Sequence, residues 1–423
     1  MQKVILAYSG RRPGRLGLRG NRSDAPLGGA EWLDDTRCMK GTLTGITICY
    51  VMHDSKFFRT HRREIARDLL AAGCQLHLIA PNAKDAIGEN GGVVAHDWKL
   101  NRWSMNPCRE LLSLLHLCRL YRRIGPTIVH HFSVKSIVYG LIASMVCRIP
   151  LAVCSITGKG HVFTASGAVA RARRKLLILC YRCLMRRRGV ALIFQTQKDY
   201  GDFLRWQIVS PDHAVVIPGS GVDTTRYHPH PARAPDKMVL FASRLLKEKG
   251  VLDFIAAIQL LKNRVEQLRA VVAGPFVPGH PDAVTEGELR DRCVEAGVEY
   301  AGELEDLSSL MGQATVFCFP SRYGEGVPRV VLEAVASGSA VISYPCDGLR
   351  EVFRDSIFEC APDPQSLAGA IERLLNDDAL LQRHVHAAHR TILEQGLDTG
   401  TIADRTMRFY RTQFQAEISD RGR

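Results

Sequence analysis

The chain has 423 residues, 46% hydrophobic and 23% charged, which is enough for two domains of ordinary size and too apolar for a disordered polymer. No apolar run reaches the roughly 18 residues needed to span a bilayer, and the first residues lack the apolar core and cleavage site of a secretory signal. The formal charge of +13 is uneven: residues 1–42 carry 8 basic and 4 acidic side chains, residues 43–230 carry 26 and 11, and residues 231–423 carry 22 and 28. A basic N-terminal half beside an acidic C-terminal half fits contact with nucleic acid, an anionic membrane surface or a lipid diphosphate, or else a merely solvated basic face. The 13 cysteines are scattered. Their one close pair, Cys180 and Cys183, lies in a helical pattern with no second pair to complete a zinc site, as expected of free thiols in a reducing cytosol.

Residues 1–42 are rich in Gly, Arg, Asp and Ser without apolar period, which predicts a disordered extension; Met39 then reads as the start, and the residues before it as a translation artefact. From Ile46 to Ala80 the pattern is strand, loop, a helix over Phe57–Ala71, and strand, the opening of a doubly wound domain. A helix is expected over 106–124 and a strand over 126–132, with His130 and His131 at its carboxyl end. These serve either phosphate binding or acceptor positioning, or pack one on each sheet face. The strand 151–156 runs into Thr157-Gly158-Lys159-Gly160, where glycines permit close backbone approach and Lys159 adds charge. In residues 168–189, Arg171, Arg173, Arg174, Lys175, Arg182, Arg186, Arg187 and Arg188 flank and thread an apolar helix. Such a helix rests on an anionic membrane or is a core helix with charged ends in water. A further strand covers 191–197. A Pro- and His-rich linker follows, and the second domain begins at the strand Met238–Ala242. Arg244 and Lys249 come next, five residues apart across a loop, a spacing suited to neutralising a diphosphate.

The stretch 314–345 is the most informative. A buried strand over Thr315–Pro320 leads to the loop Ser321–Gly326, and Pro328 is placed to open a helix over Pro328–Ser337 that stops at Gly338. Glu325 and Glu333 can project toward one mouth, where two carboxylates would accept hydrogen bonds from hydroxyl donors. The N–H groups of Gly326, Val327 and Arg329 would favour an anion. Sugar hydroxyls beside a phosphate describe a nucleotide sugar; a capped surface helix with two solvated glutamates is the alternative.

The motif Pro320-Ser321, Glu325-Gly326, Pro328, Glu333-Ala334 resembles the donor-site signature of the family 4 retaining glycosyltransferases. That resemblance, over about residues 44–415, implies the α/β GT-B fold, two doubly wound Rossmann-like domains with the active site in the cleft between them. It assigns residues 43–226 to an acceptor domain, 227–236 to a linker, 237–398 to a nucleotide-sugar domain, and 399–423 to a helix crossing back. By the same resemblance Glu325 binds the donor sugar, Glu333 the ribose, and Arg244 and Lys249 the diphosphate. Gly326, Val327 and Gly219 line the donor, and Leu304 lies in the segment whose backbone reads the base. The strings Phe57-Phe58…His61-Arg62, His130-His131-Phe132 and Thr157-Gly158-Lys159-Gly160 resemble a subgroup that transfers amino sugars onto lipid-linked carriers. They place His131 at the chemistry and His61, Thr157, Gly158 and Lys159 on the acceptor side. The first loop departs from the better-known pattern, offering His53, Asp54, Ser55 and Lys56 where a glycine pair approaches the donor phosphate. The resemblance implies retaining transfer from a UDP-sugar, with an N-acetylhexosamine among the candidates, to a lipid-linked saccharide. It implies no cofactor and no metal. The expected setting is bacterial surface polysaccharide assembly, with the protein cytoplasmic and peripheral at the inner membrane face, and no nucleic acid as partner. The rival readings are a GT-B sugar-nucleotide epimerase and a non-enzymatic membrane- or anion-binding module.

Overall fold

The computed structural model describes residues 43–87, 92–101, 106–158, 167–229 and 237–421. The predicted extension over 1–42, Lys159, and most of the linker lie outside the described residues. Short apolar runs, buried on both faces in the central strands and half-exposed at the edges, form two wholly parallel sheets. The first contains β1 (Thr47–Met52), β2 (Gln75–Ala80), β3 (Val93–Asp97), β4 (Ile128–Phe132), β5 (Leu151–Ile156), β6 (Val190–Phe194) and β7 (Ala214–Val216). Their order is β3-β2-β1-β4-β5-β6-β7. The second contains β8 (Lys237–Ala242), β9 (Leu268–Ala273), β10 (Val298–Gly302), β11 (Val316–Phe319), β12 (Ala340–Ser343) and β13 (Phe358–Glu359), in the order β10-β9-β8-β11-β12-β13.

Helices cover both faces of each sheet, so alternate strand residues feed separate cores. In β11, Val316 and Cys318 pack on one side and Phe317 and Phe319 on the other; each such side chain fully removed from water contributes about 1.5–3 kcal/mol. Strand order reverses between β1 and β4, and again between β8 and β11. Crevices at these reversals, beyond the carboxyl ends of the strands, are where open α/β sheets bind ligands.

Two local expectations change. The helix predicted over Phe57–Ala71 is two helices, Ser55–His61 and Arg63–Ala71. Asp54 caps the first by accepting from Lys56 N at 2.9 Å, and the chain breaks at Arg62 (φ −129°, ψ −6°), whose side chain turns inward onto aromatic rings. The helix after the 321–326 loop begins at Arg329; Pro328 is its cap in extended conformation, φ −68°, ψ 123°. The last helix runs Thr399–Arg421, within the expected 399–423. It returns to the first sheet, where Tyr410 meets His130, and Gln413 Nε2 donates to Asp212 O at 2.8 Å. Gly221 makes that return possible: at φ +74°, a Cβ there would lie 2.7 Å from Thr399 Cα.

Candidate active site between the two sheets

β8 ends at Ala242, and Arg244 follows at the reversal crevice of the second sheet. The loop beyond it packs hard against the end of β11: a Cβ on Gly250 would sit 2.1 Å from the Pro320 carbonyl oxygen. This closeness delivers Lys249, buried at 6% exposure, to Glu325, and the ammonium donates to Glu325 Oε1. Ser321 Oγ donates to the same oxygen at 3.4 Å, and the Tyr323 ring lies 4.8 Å from Lys249 Nζ. The cation expected for phosphate and the carboxylate expected for sugar therefore hold one another. Arg244 is half-exposed and, among the described residues, makes no side-chain hydrogen bond or ion pair.

Glu333 lies one helical step beyond Arg329 and is buried. Arg329 Nε donates to Glu333 Oε1 at 2.8 Å, while its two terminal nitrogens donate to Glu64 at 3.1 Å each. Glu64 belongs to the helix Arg63–Ala71 of the first sheet, so the arginine joins the two halves. Burial pushes the Glu333 carboxyl above its usual range, against the pull of Arg329. Burial also pushes Glu64 up, but the two-pronged Arg329 contact outweighs it and the net direction is down. Sequence reasoning used only the Arg329 backbone and missed its side chain; the i, i+4 spacing to Glu333 was the available signal. Glu64, 265 positions away, gave none.

The Val327 N–H is not available to an anion as expected, because it donates to Gln195 Oε1 at 3.1 Å. Gln195, just past β6, was also missed; it fills the space over Gly326, where a Cβ would lie 2.2 Å from Gln195 Oε1. Gly219 packs on Val327, and Gly158, next to Thr157, faces Gly324 O with only 3.1 Å for a Cβ. The loops after β5, β6 and β11 thus converge. His61 stacks on Phe57 at 4.5 Å between centroids. Burial lowers its pKa to about 3, with Arg329, Arg62 and Arg244 adding to the effect, so it is neutral. Leu304 lies past the edge strand β10, beside Glu303, which reaches Lys56 across the cleft at 3.4 Å.

His131 is a correction. It is fully buried, its Nε2 within 2.8 Å of the Tyr121 hydroxyl and its ring against Gly140, so it packs in the core rather than at the chemistry. Alternation along β4 sends His130 to the opposite face, to Tyr410 and to Ser155 Oγ at 2.7 Å. The helix Ala168–Met185 leaves Val169, Leu176 and Leu179 exposed among its basic residues. Among the described residues no helix is long and apolar enough to cross a membrane, and no group of side chains could hold a metal ion.

Residues 47–188 match the family described as glycosyl transferase 4-like, and residues 224–391 the family described as glycosyl transferases group 1. The chain belongs to these family 4-like, group 1 glycosyltransferases. This glycosyltransferase is 23% identical over 329 residues to the N,N'-diacetylbacillosaminyl-diphospho-undecaprenol alpha-1,3-N-acetylgalactosaminyltransferase of Campylobacter jejuni, covering 74% of this chain and 84% of that one. It is 30% identical over 227 residues to the phosphatidyl-myo-inositol mannosyltransferase of Mycobacterium tuberculosis, 49% of this chain and 57% of that protein. Among solved structures it resembles Anabaena Alr3699/HepE in complex with UDP and glucose, with TM-score 0.70, 19% identity, and 86% and 98% of the two chains covered. A glycosyltransferase from Rickettsia africae gives TM-score 0.69 at 17% identity, over 87% and 98%. The glycosyltransferase therefore has the GT-B fold, two Rossmann-like domains, as its sheets show directly.

Proposed function

We propose that this glycosyltransferase moves a sugar, an N-acetylhexosamine among the candidates, from a UDP-sugar to a lipid-linked saccharide at the cytosolic membrane face, with retention at the anomeric carbon, in surface polysaccharide synthesis. The observation that carries the reading is the Lys249–Glu325 pair at the reversal crevice of the second sheet, with Arg244 on the same loop as Lys249 and with Glu333, on the helix after the Glu325 loop, tied through Arg329 to Glu64 of the first sheet. Arg244 and Lys249 would bind the diphosphate and stabilise it as it leaves, the task a divalent metal performs elsewhere, so the transfer is proposed to be metal-independent. Glu325 would accept from sugar hydroxyls and Glu333 from the ribose. The acceptor hydroxyl would attack C1 from the side the diphosphate leaves: the C1–O bond to phosphate breaks, the new glycosidic bond forms, and the hydroxyl proton passes to the departing phosphate oxygen. The UDP complex of the Anabaena structure supports the donor class, and the Campylobacter relative, named for a diphospho-undecaprenol substrate, supports the acceptor class. The exposed Val169, Leu176 and Leu179 beside Arg171, Arg173 and Arg174 support membrane contact through residues 168–189.

The test is turnover of a panel of UDP- and GDP-sugars with and without a membrane lipid extract, comparing wild type with Glu325→Gln. UDP release that needs lipid and falls in the variant is expected. An altered nucleotide sugar formed without lipid would identify an epimerase instead, and no donor turnover or binding would refute the reading.

A further inference from the structure

Among the described residues, Arg62 is a buried cation without a counter-ion. It is 5% exposed, and its Nε makes no hydrogen bond. Its guanidinium carbon lies 4.7 Å from the Phe132 ring centroid and 6.0 Å from that of Phe57. No carboxylate among the described residues pairs with it: Glu64, two residues along, is committed to Arg329. The other groups that sense it are the Tyr50 and Tyr410 hydroxyls, neutral His61, neutral His130 and the cation Arg329. Phe132 ends β4, and its neighbour β1 feeds the turn that carries Arg62, so the guanidinium stands at the strand-order reversal of the first sheet. The break between the two helices serves to aim it there. A charge removed from water without a partner is costly, and aromatic faces repay only part of that cost. Arg244, across the cleft, is likewise unpaired, and both act on His61.

We propose that Arg62 is an oxyanion-binding residue, taking a phosphoryl group of a substrate diphosphate at the crevice of the first sheet. Its planar fork presents donors that match phosphate oxygens, with Phe57 and Phe132 fixing the plane. The diphosphate belongs either to the lipid-linked acceptor or to the nucleotide-sugar donor. The assignment rests on the transferase reading and deepens it by naming the chemistry that this crevice recognises.

The experiment is calorimetric titration of the full chain with inorganic pyrophosphate, with and without saturating UDP, for wild type, Arg62→Met, Arg62→Lys and Arg244→Met. Thermal unfolding is followed in parallel. Pyrophosphate binding at least tenfold weaker in Arg62→Met is expected, partly recovered in Arg62→Lys, with a melting temperature no lower than wild type. If that loss persists under saturating UDP, the acceptor is the source of the anion. If instead UDP itself weakens in Arg62→Met, the donor is. Equal binding in wild type and Arg62→Met, or no pyrophosphate binding by wild type, would overturn the proposal and leave Arg62 as aromatic packing. UDP failing to bind any variant would remove the donor reading, while the pyrophosphate arm alone would still decide Arg62.

Discussion

Glu325 sits where a single oxygen can be moved without disturbing the backbone. In Glu325→Gln the charge is lost and the shape kept, so transfer should fall about 10–100-fold, the worth of one charge-assisted hydrogen bond of about 1.5–3 kcal/mol; steady-state kinetics with the active donor checks this. His131→Ala should behave oppositely. Removing a fully buried ring bonded to Tyr121 opens a cavity and should cost about 2–4 kcal/mol of stability, while the donor KM stays unchanged when measured well below the melting temperature. His61 makes a third case. Its folded pKa of about 3 lies below its unfolded value, so between the two the unfolded chain binds the extra proton and stability falls as pH drops from about 6.5 toward 3. Denaturant unfolding at pH 7.5 and 5.5 should show that loss in wild type and a smaller one in His61→Asn. These three residues also mark how far sequence reaches. Glu325 stands in a loop whose spacing to Pro328 and Glu333 is itself the signal. His131 stands on a strand, where the register that separates a site face from a core face is fixed by neighbours far away in sequence.

At the scale of elements, strands such as β4, β5, β8 and β11 were legible because each is a short apolar run, whereas the half-exposed β3 and the two-residue β13 carry no such run and were not. What could not be read was which loops touch. The helix Asp347–Phe353 is seated by Gly348, where a Cβ would fall 1.8 Å from the Gly326 carbonyl oxygen. Because that clash is with backbone, Gly348→Ala must displace the loop bearing Glu325. It should cost about 1–3 kcal/mol of stability and weaken donor binding more than a conservative surface change on the same helix; thermal unfolding and donor titration measure both. The break at Arg62 was likewise invisible, since the local sequence continues a helical pattern and only burial against Phe132 interrupts it.

Across the whole molecule, the Arg329 guanidinium is a bolt between halves, sharing itself between Glu64 and Glu333. Lys198 with Asp347, and Gln197 N with Glu351 at 2.5 Å, add contacts on the same seam. Removing one partner of a buried ionic network strands the others, at about 3–5 kcal/mol. Arg329→Met should therefore lower the melting temperature and, by small-angle scattering, increase the radius of gyration as the halves part. Glu64→Gln, which leaves Glu333 paired, should do less of each.

If Lys249 takes the diphosphate and Glu325 the sugar, as proposed, their union makes recognition an exchange rather than an addition. A molecule offering only a diphosphate would draw Lys249 away and leave Glu325 without its counter-charge; one offering only hydroxyls would do the reverse. A compound that presents both at the right separation satisfies both halves at once, and so does the bare pair after it departs. Under that assignment a donor fragment that engages only one of the two side chains binds more weakly than the whole donor, and the pair re-forms when the product leaves, resetting the site for the next turnover.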